Sequence, residues 1–210
     1  MELAEYDRQV REAVIRILGC PLGDLAWEQA KLPVSMGGLG LRAATDHSAA
    51  AYASSFLASQ PLARQLLRLP DEQEDPILNP QVIASLNART GEEEVTQDSL
   101  KGLKQKQVSA MIDLVNQKQL LATIAESGDE REIARLASIC LPKAGVWLNC
   151  SPLPALGLHL RGAEFVVCCK FRLGLPVYDL TSQDPAQAVA RTVIYWVTTA
   201  WSVAQVVNAL

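Results

Sequence analysis

Two histidines, five cysteines and a scatter of lysines are the side chains in this 210-residue sequence best suited to chemistry. Their spacing limits what they can do. His47 follows Asp46 directly, and neighbours on a helix point about 100° apart, so the pair cannot form a histidine–carboxylate relay unaided. Neither His47 nor His159 has a serine or cysteine nucleophile at readable spacing, and surface or half-buried roles are expected for both. Cys168 and Cys169 are adjacent, whereas zinc draws four ligands from clips of the Cys-x-x-Cys kind. Ordinary burial of at least one of these thiols is expected, with no metal and no cofactor. Gly37-Gly38-Leu39-Gly40 has the look of a phosphate cradle, but such a loop follows a strand and opens a helix. Here Leu32-Pro33 precedes it, so a structural turn is expected. Lys101, Lys104, Lys106 and Lys118, with Arg161, Lys170 and Arg172, form the one plausible nucleic-acid surface. Contacts there would go to phosphates, which position a duplex without reading its sequence.

Helices must hold these groups. Leu3, Tyr6, Val10, Ala13, Val14 and Ile17 recur at three- and four-residue steps and predict an amphipathic helix over 2–18, stopped by Gly19 and Pro21. Asp24 is placed to cap a short helix carrying Trp27. The small-residue stretch 43–59 predicts a helix that packs closely on another. Pro61 then predicts a fresh short helix with Leu62, Leu66 and Leu67 inward. Acidic, proline-marked stretches near 70–75 and 90–94 flank a short helix starting at Asn79-Pro80. A long helix is expected over 99–125 with Leu103, Val108, Met111, Ile112, Val115 and Ile124 on one stripe and the lysines around it. Ser127-Gly-Asp-Glu130 has capping-box spacing for the next helix, which carries Ile133, Leu136 and Ile139. Prolines and glycines make 141–160 a connector, and a helix resumes over 164–173.

Composition sets the class. Half of the residues are hydrophobic (49%) and only 5% are aromatic, which favours a globular chain packed through small and aliphatic side chains. The formal net charge of −4 argues against a stand-alone nucleic-acid binder, because counterion release from phosphates supplies most of such a protein's affinity. An odd cysteine count without a Cys-x-x-Cys pair, and Glu2, Glu5, Asp7 and Arg8 where a signal core would lie, point to a reducing intracellular compartment, cytoplasmic or nuclear, without secretion.

Two blocks carry a family likeness. One runs from Trp27 through Gln29, Ala30, Leu32 and Pro33 to Gly37-Gly38-Leu39-Gly40-Leu41-Arg42. The other contains Ala144-Gly-Val-Trp-Leu-Asn149, Leu156-Gly-Leu-His-Leu160, Glu164-Phe165 and Arg172-Leu-Gly174. With Gln105-Lys106 between them, residues 2–178 resemble the thumb and linker region that follows the polymerase palm in non-LTR retrotransposon reverse transcriptases. The resemblance implies a helical adjunct beside a template–primer duplex. It does not extend to the catalytic centres. Such a polymerase needs paired aspartates to hold two Mg²⁺ ions, and the sequence has no Asp-Asp pair. The family's distal zinc knuckle and nuclease have no counterpart after Tyr178.

The expected fold is therefore mostly α, an irregular helical bundle with Pro/Gly-rich connectors and little or no sheet. Residues 1–69 and 98–178 are read as helical segments, 70–97 as an acidic linker region with a short helix, and 179–210 as a divergent apolar tail. The tail recurs in apolar residues at helical steps, but Thr198, Thr199, Ser202, Gln205 and Asn208 break it up, so it is not expected to span a membrane. The expected function is that of a non-catalytic, reverse-transcriptase-like fragment with a structural role, whose partners are proteins reaching surfaces left open by missing domains. Nucleic-acid contact would be weak. The alternative is a host-adopted helical interaction module, with or without anchoring by its tail.

Overall fold

A computed structural model of the protein describes residues 2–68, 70, 76–91, 94–151, 153, 155 and 160–177. His159 and the tail 179–210 lie outside the described residues. The described part is mostly α, without a sheet. Its helices are α1 (Leu3–Leu18), α2 (Asp24–Lys31), α3 (Ala44–Leu67), α4 (Pro80–Thr90), α5 (Gln97–Leu100), α6 (Gln105–Ser127), α7 (Glu130–Ile139), α8 (Val146–Asn149) and α9 (Gly162–Arg172). A 3-10 turn, Val34–Met36, follows α2.

Local chemistry sets most boundaries. The Asn79 side chain accepts from the Gln81 amide while Pro80 opens α4. Asp24 falls inside the first turn of α2 and pairs with Arg11 at 2.7 Å instead of capping. The start of α7 is capped by Asp129, which takes the Arg131 and Glu132 amides, and not by Ser127. The helix expected over 99–125 is two. Gly102 has φ of +83°, a left-handed turn that glycine adopts freely, and the chain breaks there between α5 and α6. Lys101 and Lys104 accordingly flank a turn, outside both helices.

Pro61 has the opposite effect from the one expected. It does not start a new helix but sits inside α3, which runs unbroken for 24 residues. Leu62, Leu66 and Leu67 consequently ride on a helix end that has outrun the core, and they are 59%, 73% and 68% exposed. Nothing among the described residues turns them inward.

Three apolar clusters hold the helices together. Ala50 and Ala53 of α3 meet Leu86 of α4, Leu100 of α5 and Val108 and Ile112 of α6, along with Leu78 and Val95 from the connectors. The alanines let α3 and α6 approach closely, and this is the most extensive helix pair. Leu78, Leu86 and Val95 come from the acidic 70–97 stretch, so that stretch shares a core with the segments on both sides of it. The second cluster joins Val14 and Leu18 of α1, Trp27 and Ala30 of α2, and Cys169 and Leu173 at the end of α9. The third packs Leu32 against Leu120 and Ile124 of α6 and Leu136 and Ile139 of α7. Within α1 only part of the expected stripe is covered: Val14 is buried, whereas Leu3, Tyr6 and Ile17 are largely exposed.

Candidate functional site

The cationic side chains do not form one surface. Lys101 and Lys104 line an open groove of about 860 Å³ between α3 and the α5–α6 turn, with Leu57, Pro61, Arg64 and Leu103. Lys101 pairs with Asp98 at 3.0 Å. Lys106, also exposed, sits in the first turn of α6. Lys118 lies twelve residues further along the same helix, roughly 18 Å away and 120° around it. Lys170 is half-buried on α9, a helix that packs on α1.

Arg172, expected on that surface, is buried instead. It is 2% exposed, and its Nε and a terminal nitrogen donate to the carbonyls of Gly38 (2.9 Å) and Val34 (2.5 Å). The guanidinium fork suits this double task, and burial lowers its pKa from the ordinary arginine value. A basic residue in the last turn of an apolar helix reads as surface in sequence, and only its distant carbonyl partners show otherwise.

Those partners define an extended polar joint among the described residues. Gln29 of α2, 1% exposed, donates to the carbonyls of Gly37 (2.9 Å) and Arg172 (2.8 Å). Its own side-chain oxygen accepts from Arg135 at 2.9 Å. Arg135 also donates to the Arg172 carbonyl and is held by Glu132 of the same helix. Positions far apart in the chain are thereby clasped around the glycine turn. At Gly38 a Cβ would come 1.9 Å from the Leu32 carbonyl oxygen, so no other residue fits without backbone movement.

The same turn cannot cradle phosphate, because its amides are already used. Gly38 donates to Pro33, Leu39 and Leu41 to Ala30, and Gly40 to Leu32, at 2.8–3.2 Å. A phosphate loop needs those N–H groups free.

A second polar joint surrounds the start of α3. Asp7, reaching from α1, accepts from the Ala44 amide at 2.7 Å, and from the Thr45 amide and hydroxyl at 3.0 and 2.7 Å. It thus caps a helix that lacks a cap of its own. Burial acts to raise the Asp7 pKa, but the hydrogen bonds from Thr45 and Ala44 outweigh it and the net shift is downward. Asp46 pairs with Lys31 at 3.3 Å and with Arg89. His47 turns away from Asp46 and meets Asp113 of α6 at 3.3 Å, while Arg42 takes the other Asp113 oxygen at 2.5 Å. Asp113 is 2% exposed and sits in the buried face of α6. An acid within an apolar helix face was the available signal for this pair, and the hydrophobic periodicity obscured it.

These groups hold helices together. Among the described residues, no three His, Cys, Asp or Glu side chains converge as a metal site. The groove's lining contains neither histidine, cysteine nor carboxylate. Burial raises the pKa of the Cys140 and Cys168 thiols and pushes that of Cys169 up to about 11. No described helix is long and apolar enough to cross a membrane. No protein-family model matches the chain, and no curated protein or solved structure is significantly similar to it.

Proposed function

We propose that the chain is a non-catalytic helical fragment of a retrotransposon reverse-transcriptase-like protein, with a mechanical role: bridging polymerase and distal domains in the parent protein. The clasp among Gln29, Gly38, Arg135 and Arg172 carries the reading, since three of those four residues belong to the blocks on which the resemblance rests. A buried joint between segments more than 130 residues apart suits a part that must transmit position. Buried Asp46 and Asp113 support it too, since both are engaged by cations and hold no free coordination for catalytic Mg²⁺. Primer extension on an RNA or DNA template, with Mg²⁺ or Mn²⁺, tests the reading. The expected result is no product above a heat-killed control, and templated extension would overturn it.

A second reading, a host-adopted helical interaction module, has its own observation. Leu62, Leu66 and Leu67 leave an apolar end on α3 that a protein partner could cover. The flanking genomic sequence separates the two: an adjoining palm or a frameshifted knuckle favours the fragment, and an intact spliced gene favours adoption.

A further inference from the structure

Two local events create the open groove of about 860 Å³: Gly102 turns the chain at a positive φ, and α3 continues past the core. Ser54, Leu57, Ala58, Pro61 and Arg64 share one side of α3 in helical register and line the groove over about 15 Å. Lys101, Leu103 and Lys104 line it from the α5–α6 turn. Leu57 and Leu103 offer apolar surface at the border of the first cluster. Proline has no N–H, so Pro61 deprives the Leu57 carbonyl, four residues back, of its helical donor. The Ser54 hydroxyl is also buried without a hydrogen-bond partner among the described residues. Every charge in the lining is positive, in a chain that carries −4 overall. Lys101 pairs with Asp98 at 3.0 Å, but Asp98 is 87% exposed, and a surface pair of this kind is weak enough for another carboxylate to compete. Arg64 donates to the Pro70 carbonyl at 3.0 Å, a bond that leaves its charge in place. The described lining contains no aromatic side chain, so the bases of a nucleic acid have nothing to stack on.

We propose that this groove binds an acidic, amphipathic peptide segment of a partner protein. Apolar side chains of the segment pack on Leu57 and Leu103, and an N–H reaches the Leu57 carbonyl. An aspartate or glutamate pairs with Lys104, which is exposed at the start of α6, where the positive end of the helix dipole favours the same sign of charge. The wall of about 15 Å matches roughly three helical turns of the guest. The site is separate from the apolar end at Leu62, Leu66 and Leu67, none of which lines it, and it holds whatever the origin of the chain.

Panning a phage-displayed library of random dodecapeptides on the full-length protein tests it. Enriched peptides should combine Asp or Glu with Leu, Ile or Phe. Labelled synthetic copies, followed by fluorescence anisotropy, should bind Ala58→Trp at least tenfold more weakly, because Ala58 is exposed in the lining and an indole there occupies the groove. Lys104→Glu, a change at an exposed turn position, is the second variant. It should weaken the acidic peptides by a similar factor and strengthen binding of copies with lysine in place of each acid, while circular dichroism matches the parent. Panning that yields no binder, binders without acidic residues, or binders indifferent to both substitutions overturns the proposal. An oligothymidylate strand that displaces the labelled peptide at lower concentration than the unlabelled peptide does would assign the groove to nucleic acid, and that also overturns it.

Discussion

Arg172 and Gly38 make the same point from opposite ends of the chain: a side chain's partners, more than its type, determine what it does. Arg172→Lys keeps the charge but cannot bridge the Val34 and Gly38 carbonyls with one planar fork. The variant should lose about 2–3 kcal/mol of stability in denaturant titration and leave duplex affinity where it was. Gly38→Ala drives a methyl into the Leu32 carbonyl and should cost more than about 3 kcal/mol, read as a large drop in melting temperature or loss of soluble protein. Asp113→Ala removes a buried carboxylate, leaving exposed Arg42 to solvent and the more buried His47 without its partner. A cost of about 1–3 kcal/mol is expected. Asp7 adds a pH dependence with a definite sign. Its folded pKa lies below the ordinary value near 4, so its stabilisation is complete above that pH and disappears as pH falls through the folded value. Asp7→Asn should flatten the acid limb of the stability curve, and an unchanged acid limb would show that the cap carries no such linkage.

At the scale of elements, α3 shows how a helix can outrun its core. Its first half is buried through Ala50 and Ala53, and its second half carries Leu62, Leu66 and Leu67 into the open. Leu66→Glu should therefore change stability by less than about 0.5 kcal/mol, while Leu86→Ala, at a position with no exposed surface, should cost about 2–5 kcal/mol. Paired thermal melts decide between that contrast and a uniformly packed helix. Pro61 was legible as a helix start because proline favours the first turn. It is instead tolerated mid-helix, since the residues on both sides already propagate one rod. The break at Gly102 was missed for a related reason. The hydrophobic stripe passes smoothly through Leu103, and periodicity carries no information about a single positive φ.

For the whole molecule, net charge decides nucleic-acid behaviour more than any one lysine does. The chain carries −4 overall, and Lys101, Lys104, Lys106, Lys118 and Lys170 are dispersed over a turn, two parts of α6 and α9. Few phosphates can be neutralised at once, so duplex binding should be micromolar or weaker at about 150 mM salt. A fluorescence titration giving nanomolar affinity would contradict this, as would affinity that survives Lys101, Lys104 and Lys106 all changed to Glu.

The sequence by itself determined the helical class, because hydrophobic periodicity, the Asn79-Pro80 start and the stop at Gly19 all act over a few neighbouring residues. It also determined that Gly37-Gly38-Leu39-Gly40 is a turn. Only the tertiary structure decided the rest. It took Arg172 from the candidate surface into a clasp with Gly38, gave α3 the carboxylate of Asp7 as its cap, and paired His47 with Asp113 instead of Asp46. Each of these depends on where a residue tens of positions away comes to rest. Local spacing records the angle at which a side chain leaves its own helix, and it holds no record of which distant carbonyl or carboxylate will be waiting there.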